Sequence, residues 1–519
     1  MTQGRTEHDV VIVGGGSAGC ILAARLSEDP DARVLLLEAG GADTKPEIHE
    51  PTAWPLLMGS EVDWSYRTTP QQSAAGREVF FPRGKVLGGS GSINAMVYLR
   101  GTRRDNDHWA MLGNVGWDWE SVLPAFKALE HHPTGDPALH GLDGPLRISL
   151  PDPPHPISEA AIEAAVELGF ARNDDLNGAT IEGAGYNPLT IADGRRQSAA
   201  QAFLAPAMGR ENLTVVTGAH ARRLLWATED RVDGVEYERD GGLHVARAAG
   251  EVVLACGAID TPKLLLLSGV GPADELTALG VDVRIDLSGV GRNLHDHLGA
   301  PVTFHNARPV PAGRYQFSEV GLFGKSDPAL TYPDLQFAVP HIPYPPEGVT
   351  GPAEGFAIVP SVLKPQSRGS VRLATADPAV APLIDPAYLR EQADVQAVVR
   401  SIEISRELAN AGPLRAWNAG EAIPGPDVSG PEALRDFGRR AAGTWFHPSG
   451  TCRMGTDGEA VVDPALRLRG TTNVRVVDAS VIPTVTSANI NAPTMMIAWR
   501  AADLVRSAGA SRTTTAAAG

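Results

Sequence analysis

The chain has 519 residues, which suggests roughly three domains and is long enough to bury a large hydrophobic core. Hydrophobic residues make up 43% of the chain and charged residues 20%, a composition that excludes a disordered scaffold. The 61 acidic side chains outnumber the 45 basic ones, and the resulting net charge of −16 argues against a nucleic-acid-binding protein.

No targeting or membrane segment is predicted. The N-terminal residues MTQGRTEH are polar and have no apolar core of a signal peptide, and no apolar run approaches the ~18 residues that span a bilayer. The three cysteines, Cys20, Cys256 and Cys452, are too few for a disulfide framework. We therefore expect a soluble, cytoplasmic protein without a membrane partner, and a disordered tail at residues 507–519.

The segment from Asp9 to Glu38 predicts a strand, a glycine turn, a helix and a second strand. The apolar run VVIV is followed by GGGSAG, a helical stretch CILAARLSED and a second apolar run ARVLLLEAG. Gly14, Gly16 and Gly19 fit the GxGxxG pattern, which lets a diphosphate approach the backbone at a helix N-terminus. Glu38 ends the second strand, where a carboxylate can accept hydrogen bonds from ribose hydroxyls. This pattern predicts a bound dinucleotide, FAD or NAD rather than NADP.

Two further glycine clusters follow along the chain. The stretch GKVLGGSGSINAMVY at 84–98 predicts a buried loop that presses its backbone against a flat or anionic ligand. The stretch at 250–271 predicts a strand, Val252 to Cys256, that leads into a helix whose first turn carries Thr261 and Pro262.

These motifs resemble those of the glucose–methanol–choline (GMC) family of FAD-dependent oxidoreductases. The resemblance rests on GGGSAG at 14–19, GKVLGGSGSINAMVY at 84–98, GAIDTPKLLLLSGVG at 257–271, GVGRNLHDH at 289–297, and the block from HPSGTCRMG at 447–455 to VVDASVIPTVTSANINAPT at 476–494. The matches run in family order from residue 9 to about residue 505. Five ordered motifs are much more specific than a single GxGxxG.

The resemblance implies FAD as the cofactor and an alcohol as the substrate. In the family, the helix that begins near Asn491 faces the flavin pyrimidine ring, and Pro493 suits the first position of that helix. Asp478 resembles the family acid at the flavin ribityl and phosphate region and could also cap a turn. The residues expected at the flavin are Gly14, Gly16, Ser17, Ala18, Gly19, Glu38, Ala39, Gly88, Gly89, Ser90, Ser92, Asn94, Ala95, Met96, Val97, Ala221, Ala255, Gly257, Asp478, Ala479, Asn491, Pro493 and Thr494.

Two residues are expected to be catalytic, His447 and Asn491. Histidine can take and return a proton near neutral pH, and the family histidine that matches His447 accepts the hydroxyl proton while hydride passes to flavin N5. The residue matching Asn491 is His or Asn in relatives and holds the same oxygen, and an amide can donate to a developing alkoxide without titrating. On its own, His447 could equally be a hydrogen-bonded core histidine.

Two positions depart from relatives. Ile93 stands where some relatives carry a histidine bonded covalently to the flavin, so dissociable FAD is expected. Trp445 stands where relatives often have a small aliphatic residue, and it could either narrow the cavity near the flavin or belong to the core. Trp64, Tyr344 and Phe446 are candidate walls of the substrate pocket.

No metal site is predicted. His295 and His297 are close in sequence but have no companion ligand cluster, and Cys452 reads as a free buried cysteine. The remaining histidines in proline- and glycine-rich loops are expected to be solvated, namely His131, His132, His140 and His155.

The predicted fold is α/β, with a discontinuous Rossmann-like FAD-binding domain at 1–155, 199–301 and 445–506. A substrate-binding domain with helices on a mixed or antiparallel sheet is expected at 156–198 and 302–444.

Three functional questions stay open at this point. The electron acceptor of the second half-reaction is oxygen or another acceptor, and the oligomeric state is unknown. The substrate is an aryl alcohol, a pyridoxine-like alcohol, choline or an amino sugar. A cationic substrate is one reading of the acidic charge, and a generic acidic surface is the other. A non-redox relative of lyase or photodecarboxylase type, and a plain FAD-binding protein, are the alternatives.

Overall fold

The computed structural model describes residues 7–132 and 134–517, with side chains described as far as residue 507. Its helices are α1 (Ser17–Leu26), α2 (Pro46–His49), α3 (Arg103–Met111), α4 (Trp119–Leu129), α5 (Pro156–Glu167), α6 (Ala205–Ala207), α7 (Gly257–Leu267), α8 (Ala273–Ala278), α9 (Gln392–Ala409), α10 (Pro431–Ala441) and α11 (Asn491–Ala517).

The strands fall into two large sheets and several short pairs. They are β1 (Glu7–Val13), β2 (Val34–Leu37), β3 (Tyr66–Arg67), β4 (Phe80–Phe81), β5 (Glu130–His131), β6 (Leu146–Arg147), β7 (Gly183–Tyr186), β8 (Ile191–Ala192), β9 (Arg195–Arg196), β10 (Leu213–Val216), β11 (His220–Trp226), β12 (Val232–Arg239), β13 (Gly242–Leu254), β14 (Val270–Gly271), β15 (Ile285–Asp286), β16 (Leu298–Gly299), β17 (Val302–Asn306), β18 (Val320–Gly324), β19 (Leu335–Ala338), β20 (Phe356–Val362), β21 (Ser370–Arg372), β22 (Leu383–Asp385), β23 (Asn418–Ile423), β24 (Gly443–Thr444) and β25 (Val474–Val476).

The first sheet has the order β10-β2-β1-β13-β12-β11, and β25 also pairs with β13. Its strands β10, β2, β1, β13 and β25 run parallel, whereas β11, β12 and β13 form an antiparallel meander. Helices α1 and α11 pack against each other. Strands β2 and β25 and the C-terminal part of β1 are buried, as expected for a parallel sheet, whereas the edge strand β10 is partly exposed. The predicted α/β fold with its first βαβ unit is confirmed.

The second sheet has the order β23-β17-β20-β19-β18-β7; β16 also pairs with β20, and β24 pairs with β16. Every pairing described for it is antiparallel, so of the two expected sheet types it is the antiparallel one. Helices α5, α9 and α10 contribute apolar residues to the core of this sheet. The expected boundary at residue 301 gives β16 to the first domain, but β16 pairs with strands of the second sheet.

Helix α7 begins earlier than expected. It starts at Gly257, so Pro262 lies inside the helix rather than in its first turn. A proline has no N–H, and it therefore leaves the carbonyl four residues earlier without its helical donor. The hydroxyl of Thr451 donates to that carbonyl, Ala258 O, at 2.7 Å. Tertiary contact thus makes the proline tolerable.

The histidines expected to be solvated are mostly buried, which corrects that expectation. His132, His140 and His155 are buried, and only His131 is partly exposed. His140 Nδ1 lies 2.9 Å from Glu130 Oε1, and its Nε2 lies 2.9 Å from Asp175 Oδ2. Desolvation lowers the pKa of His140, but the hydrogen bonds to Asp175 and Glu130 outweigh it and raise that pKa to about 9. His140 can be buried because folding brings Glu130 and Asp175 next to its ring.

The last described element is α11, which runs into the segment for which a disordered tail was expected. The helix extends to Ala517, the side chains of residues 508–517 are not described, and residues 518 and 519 lie outside the described residues. Among the helices of the described part, none is both long and apolar enough to cross a membrane.

Candidate active site

The turn between β1 and α1 is built for close approach of main chain. Gly14 has a φ of +101°, and a Cβ on it would lie 2.5 Å from Ala255 O. A Cβ on Gly19 would lie 1.8 Å from Gly14 O, so the helix can pack on the strand only without a side chain there. Gly16 caps α1 without any side-chain hydrogen bond, which leaves the helix N-terminus open to an anion.

Glu38 anchors this turn from the end of β2. Its Oε2 accepts a hydrogen bond from Gly15 N at 2.7 Å, and its Oε1 accepts one from Gly40 N at 2.7 Å. Burial raises the pKa of Glu38 to about 7, against the lowering effect of the two backbone donors. Each oxygen keeps a second lone pair, so the carboxylate can still accept from a ligand hydroxyl.

The loop at 88–97 lies directly against the first turn. Gly88 N donates to Gly15 O at 2.7 Å, and a Cβ on Gly89 would lie 2.8 Å from Gly16 Cα. Arg196 supports this loop, since its Nη1 donates to Asn94 O at 2.7 Å. This residue was not identified from the sequence. It is the last residue of the two-residue strand β9, and nothing in the surrounding sequence marks it.

One continuous cavity of about 660 Å³ joins these loops to the region of His447. Of the predicted site residues, its lining includes Gly14, Gly16, Ser17, Ala18, Glu38, Ala39, Gly89, Ser90, Asn94, Ala95, Met96, Val97, Ala221, Ala255, Gly257, Asp478, Ala479, Asn491, Thr494 and His447. Four predicted residues are not part of the lining: Gly19, Gly88, Ser92 and Pro493. Gly19 serves packing, and Ser92 Oγ donates to Leu87 O at 2.7 Å, so these two shape the loops.

Asp478 ties the C-terminal block to α7. Its Oδ2 accepts from Gly257 N at 2.9 Å and from Thr261 Oγ1 at 2.6 Å, while Ser480 N donates to its Oδ1 at 2.8 Å. Asp478 therefore caps the short helical turn that follows it, which was one of the two roles predicted from the sequence. It also lines the cavity.

His447 is held by a sharp turn at the end of the second sheet. Its backbone N donates to Asp296 Oδ1 at 2.7 Å, and the preceding Phe446 has a φ of +68°. Its Nδ1 lies 2.8 Å from His297 Nδ1, and its Nε2 lies 3.2 Å from Asn489 Nδ2. Burial, together with the neighbouring His297 and Arg83, holds the pKa of His447 well below 6.5, so the imidazole is neutral at neutral pH.

Hydrogen bonding determines which nitrogen of His447 carries the proton. His297 Nε2 lies 3.1 Å from Leu363 O and 3.0 Å from Thr486 O, and because carbonyls only accept, this nitrogen must be the donor. Burial lowers the pKa of His297 to about 3, so the ring is neutral and its Nδ1 is an acceptor. His447 Nδ1 therefore donates to His297, and His447 Nε2 carries the free lone pair.

The structure places the predicted catalytic amide, Asn491, against Ser17 and not against His447 Nε2. Asn491 begins α11, and its Oδ1 accepts from Ser17 Oγ at 2.7 Å, next to the glycine turn. Asn489, two residues earlier, is the amide that contacts His447 Nε2. The sequence SANINAPT contains both asparagines, and nothing in the local pattern tells which one reaches a histidine 42 or 44 positions away.

Aromatic and amide side chains form the rest of the cavity near His447. The predicted walls Trp64, Tyr344 and Phe446 all line it, and so does Trp445, whose Nε1 donates to Pro360 O at 2.8 Å. The two interpretations of Trp445 are thus resolved in favour of a cavity wall.

The carboxylates that line the cavity already have donors. Tyr66 donates to Asp260 at 2.7 Å, and Arg67 pairs with Glu347 at 2.8 Å. Glu38 and Asp478, the other two lining acids, accept from backbone N–H groups as described above. All four are thus engaged by donors of the protein, and Glu347 is the one whose described partner is a cation.

In the described residues no group of three or more His, Cys, Asp or Glu side chains could hold a metal ion. His295 Nδ1 is engaged by Asn293 O at 2.7 Å, and His297 belongs to the contact with His447. The cysteines are free, and Cys452 is buried.

Comparison with known proteins gives concordant matches. Models described as "GMC oxidoreductase" match residues 8–299 and 365–498. The chain is 40% identical to an alcohol dehydrogenase [acceptor] of Pseudomonas putida, over 96% of this chain and 95% of that protein. It is 39% identical to the mitochondrial choline dehydrogenase of Homo sapiens, over 97% and 91%. A solved structure of pyridoxine 4-oxidase from "Mesorbium loti" superposes with a TM-score of 0.93 at 41% identity, covering 96% of this chain and 99% of that one.

Proposed function

The chain belongs to the GMC oxidoreductase family, and on that premise we propose that it uses FAD to oxidise a primary or secondary alcohol to the aldehyde or ketone. The observation that carries the proposal is the unprotonated His447 Nε2, which faces the Asn489 amide in the cavity that the glycine loops also line. A binding protein without turnover needs neither group. The relatives named as alcohol and choline dehydrogenases support the same reaction class.

The described residues fit FAD. Main chain rather than side chains faces the cavity where Gly16 and Gly89 meet, and the uncapped N-terminus of α1 suits a diphosphate. A volume of about 660 Å³ lies within the usual range for ligand sites. We assign the diphosphate to residues 14–19 and the ribose hydroxyls to Glu38. FAD, when bound, supplies the acceptor for the two electrons that leave the alcohol.

The side chains divide the proton chemistry between them. His447 Nε2 accepts the hydroxyl proton, and Asn489 Nδ2 donates to the oxygen as negative charge develops on it. His297 Nδ1 keeps its hydrogen bond from His447 Nδ1 and so stabilises the imidazolium that forms. Because burial keeps the pKa of His447 well below 6.5, the base is already deprotonated at neutral pH, and the reduction rate is expected to stay level from pH 8 down to about 6.5.

The cavity favours an uncharged alcohol with an aromatic or planar body. Its walls include Trp445, Phe446 and Tyr344, and its lining carboxylates are already engaged. A quaternary ammonium group could stack on these rings, but the same lining carries the cations Arg83 and Lys263, which disfavour a further positive charge. The acidic net charge is accordingly assigned to the general surface.

The test is anaerobic mixing of the purified holoenzyme with a panel of alcohols while the flavin absorbance is followed. We expect bleaching by neutral aryl and pyridine-ring alcohols, and slower bleaching by choline and amino sugars. His447→Ala should lower the rate constant by roughly 10²- to 10⁴-fold, whereas His305→Ala, at an exposed histidine on β17, should leave it unchanged.

Each outcome separates one alternative. Bleaching of His447→Ala at the wild-type rate would show that the assigned base is wrong. Failure of every alcohol to bleach the wild type would overturn alcohol oxidation, and product formation without reduced flavin would favour the lyase or photodecarboxylase type. Oxygen consumption during turnover distinguishes oxygen from another electron acceptor.

We further propose that FAD is bound without a covalent bond. Ile93 lines the cavity, packs in a small apolar cluster with Ile48, Leu57, Val62 and Val86, and has no nucleophilic atom. Acid precipitation is expected to leave the yellow colour in the supernatant. Colour retained by the pellet after washing would contradict the proposal.

A further inference from the structure

Gln336 reaches the active-site amide from the second sheet. It lies on β19, opposite Phe323 of β18 and Ser361 of β20, and only 2% of its surface is exposed. It lines the cavity, although no glycine motif or family motif of the sequence marks it. Its Nε2 donates to Asn489 Oδ1 at 3.2 Å.

This contact selects one of two orientations of the Asn489 amide. An amide has an accepting oxygen and a donating nitrogen, so a donor at Oδ1 turns Nδ2 towards His447. If both amides were turned the other way, Asn489 Oδ1 would face the lone pair of His447 Nε2. This orientation is unfavourable because both atoms are hydrogen-bond acceptors and repel each other. Four side chains thus form one directed run of hydrogen bonds, the polar chain: His297, His447, Asn489 and Gln336.

The selection matters most after proton transfer. While His447 Nε2 has a free lone pair, it attracts the donating end of Asn489 without help. Once Nε2 carries a proton it becomes a donor and attracts Asn489 Oδ1 instead, which would turn Nδ2 away from the substrate oxygen. A Gln336 that donates through Nε2 opposes this turn, because Asn489 can turn without losing a hydrogen bond only if the Gln336 amide turns as well.

The buried state of Gln336 supports a specific role. Its Oε1 is buried and has no hydrogen-bond partner in the described part of the protein, a cost that an apolar residue on β19 would avoid.

We propose that Gln336 is a positioning residue that holds the Asn489 amide with Nδ2 towards the substrate oxygen while His447 becomes protonated. The inference rests on the proposed function, because it concerns the same site. According to this proposal, the second sheet does more than line the pocket, because its strand β19 also orients a side chain that takes part in the proton chemistry.

The kinetic test uses Gln336→Met, which keeps the length of the side chain and removes its donor. We expect the limiting rate constant of anaerobic flavin reduction to fall about 10-fold, the effect of one lost hydrogen bond, with the substrate Kd changed by less than about 3-fold. Ser361→Ala is the matched control, because Ser361 lies opposite Gln336 on β20, does not line the cavity, and has a hydroxyl with no hydrogen-bond partner among the described residues. Its rate should equal that of the wild type.

A double-mutant cycle distinguishes positioning from a general structural effect. If Gln336 acts through Asn489, Gln336→Met should cause no further loss in an Asn489→Ala background. An equal 10-fold loss in both backgrounds would overturn the proposal, and so would a wild-type rate in Gln336→Met.

A pH profile of Gln336→Glu supplies a second readout. An ionised carboxylate can only accept, so it would draw Asn489 Nδ2 away from the substrate, whereas a protonated carboxyl can donate to Oδ1. The rate of this variant should therefore rise as the pH falls through the raised pKa of the buried carboxyl, with no such rise in Gln336→Met. Parallel pH profiles for the two variants would contradict the inference.

A crystal structure of holo Gln336→Met decides the question independently of turnover. We expect the Asn489 amide to rotate or to leave His447 Nε2. Retention of the 3.2 Å contact in the wild-type orientation would overturn the proposal whatever the rates. If no alcohol reduces the wild type, the proposed function fails, and this structure still decides whether Gln336 orients Asn489.

Discussion

The two walls of the cavity are built from different parts of the chain. On the side of the first sheet, residues 14–19 and 88–91 form a glycine wall, of which Gly14, Gly16 and Gly89 line the cavity while Gly19 and Gly88 only support it. In this wall backbone meets backbone at distances that a single Cβ would violate. On the side of the second sheet, Gln336, Ala338, Val359 and the segment 340–347 form a side-chain wall. A wall of main chain suits a cofactor shared by many relatives, and a wall of side chains can change with the substrate.

The largest expected effect breaks the glycine wall. Gly19→Ala places a Cβ 1.8 Å from Gly14 O, which requires a shift of main chain. We expect a loss of about 3 kcal/mol or more and a purified protein with little flavin. Gly41→Ala is the control, because a Cβ there meets nothing within 4 Å. The measurements are the flavin-to-protein absorbance ratio and Tm, and wild-type values for Gly19→Ala would refute the packing argument.

The second prediction compares the two walls through Asn489 and Asn491, which are two positions apart in the sequence. Asn489→Ala should slow flavin reduction by about 10²-fold, since it removes a donor to the developing oxyanion. Asn491→Ala loses the bond to Ser17 at the glycine wall and should weaken FAD binding, while the loaded enzyme reacts within about 3-fold of the wild type. Stopped-flow reduction and FAD titration measure the two effects. The reverse pattern would restore Asn491 as the catalytic amide.

A smaller effect is expected where a side chain supports the glycine wall. Glu38→Gln keeps one accepting oxygen but turns an NH2 group towards Gly15 N or Gly40 N, both of which now donate to the carboxylate. The Kd for FAD should rise about 10-fold. Glu61→Gln, at an exposed ion pair with Lys45, should leave the Kd unchanged. Isothermal titration of the apoprotein compares them, and equal Kd values would show that Glu38 does not support the turn.

The last expected effect lies outside both walls and concerns stability rather than FAD binding or catalysis. His140 has a folded-state pKa raised to about 9 from 6.5, so its stabilisation is complete below pH 6.5 and is lost as the pH rises through 9. The partly exposed Asp175 screens the interaction, and we expect about 2 kcal/mol. The Tm of the wild type should therefore exceed that of His140→Gln by more at pH 6 than at pH 9.5. The surface variant His305→Gln should show no such difference, and a pH-independent gap for His140→Gln would contradict the charged pairing.

Sequence reasoning worked best for the glycine wall and least well for the polar chain. The spacing of Gly14, Gly16 and Gly19 reports a local backbone requirement, so it predicted the turn, the helix and the parallel strands. His447 was found only because its surrounding motif resembles the family's. Gln336 lies in a short strand without a motif, and its partner Asn489 is 153 residues away.

The errors have the same origin. The sequence does not tell which of Asn489 and Asn491, both near the start of α11, points towards His447. Packing against the second sheet decides it. His140 was expected to be solvated because its neighbours are proline and glycine, but Glu130 and Asp175 draw it inside.

The sequence by itself determined the family, the α/β fold and the cofactor side of the cavity, because glycines at strained or crowded positions leave a pattern in a few consecutive residues. Only the tertiary structure decided which nitrogen of His447 is free, which asparagine accompanies it and which strand supplies Gln336. Those choices depend on hydrogen bonds between segments some 40 to 190 positions apart, whose geometry exists only after both sheets have packed around one cavity.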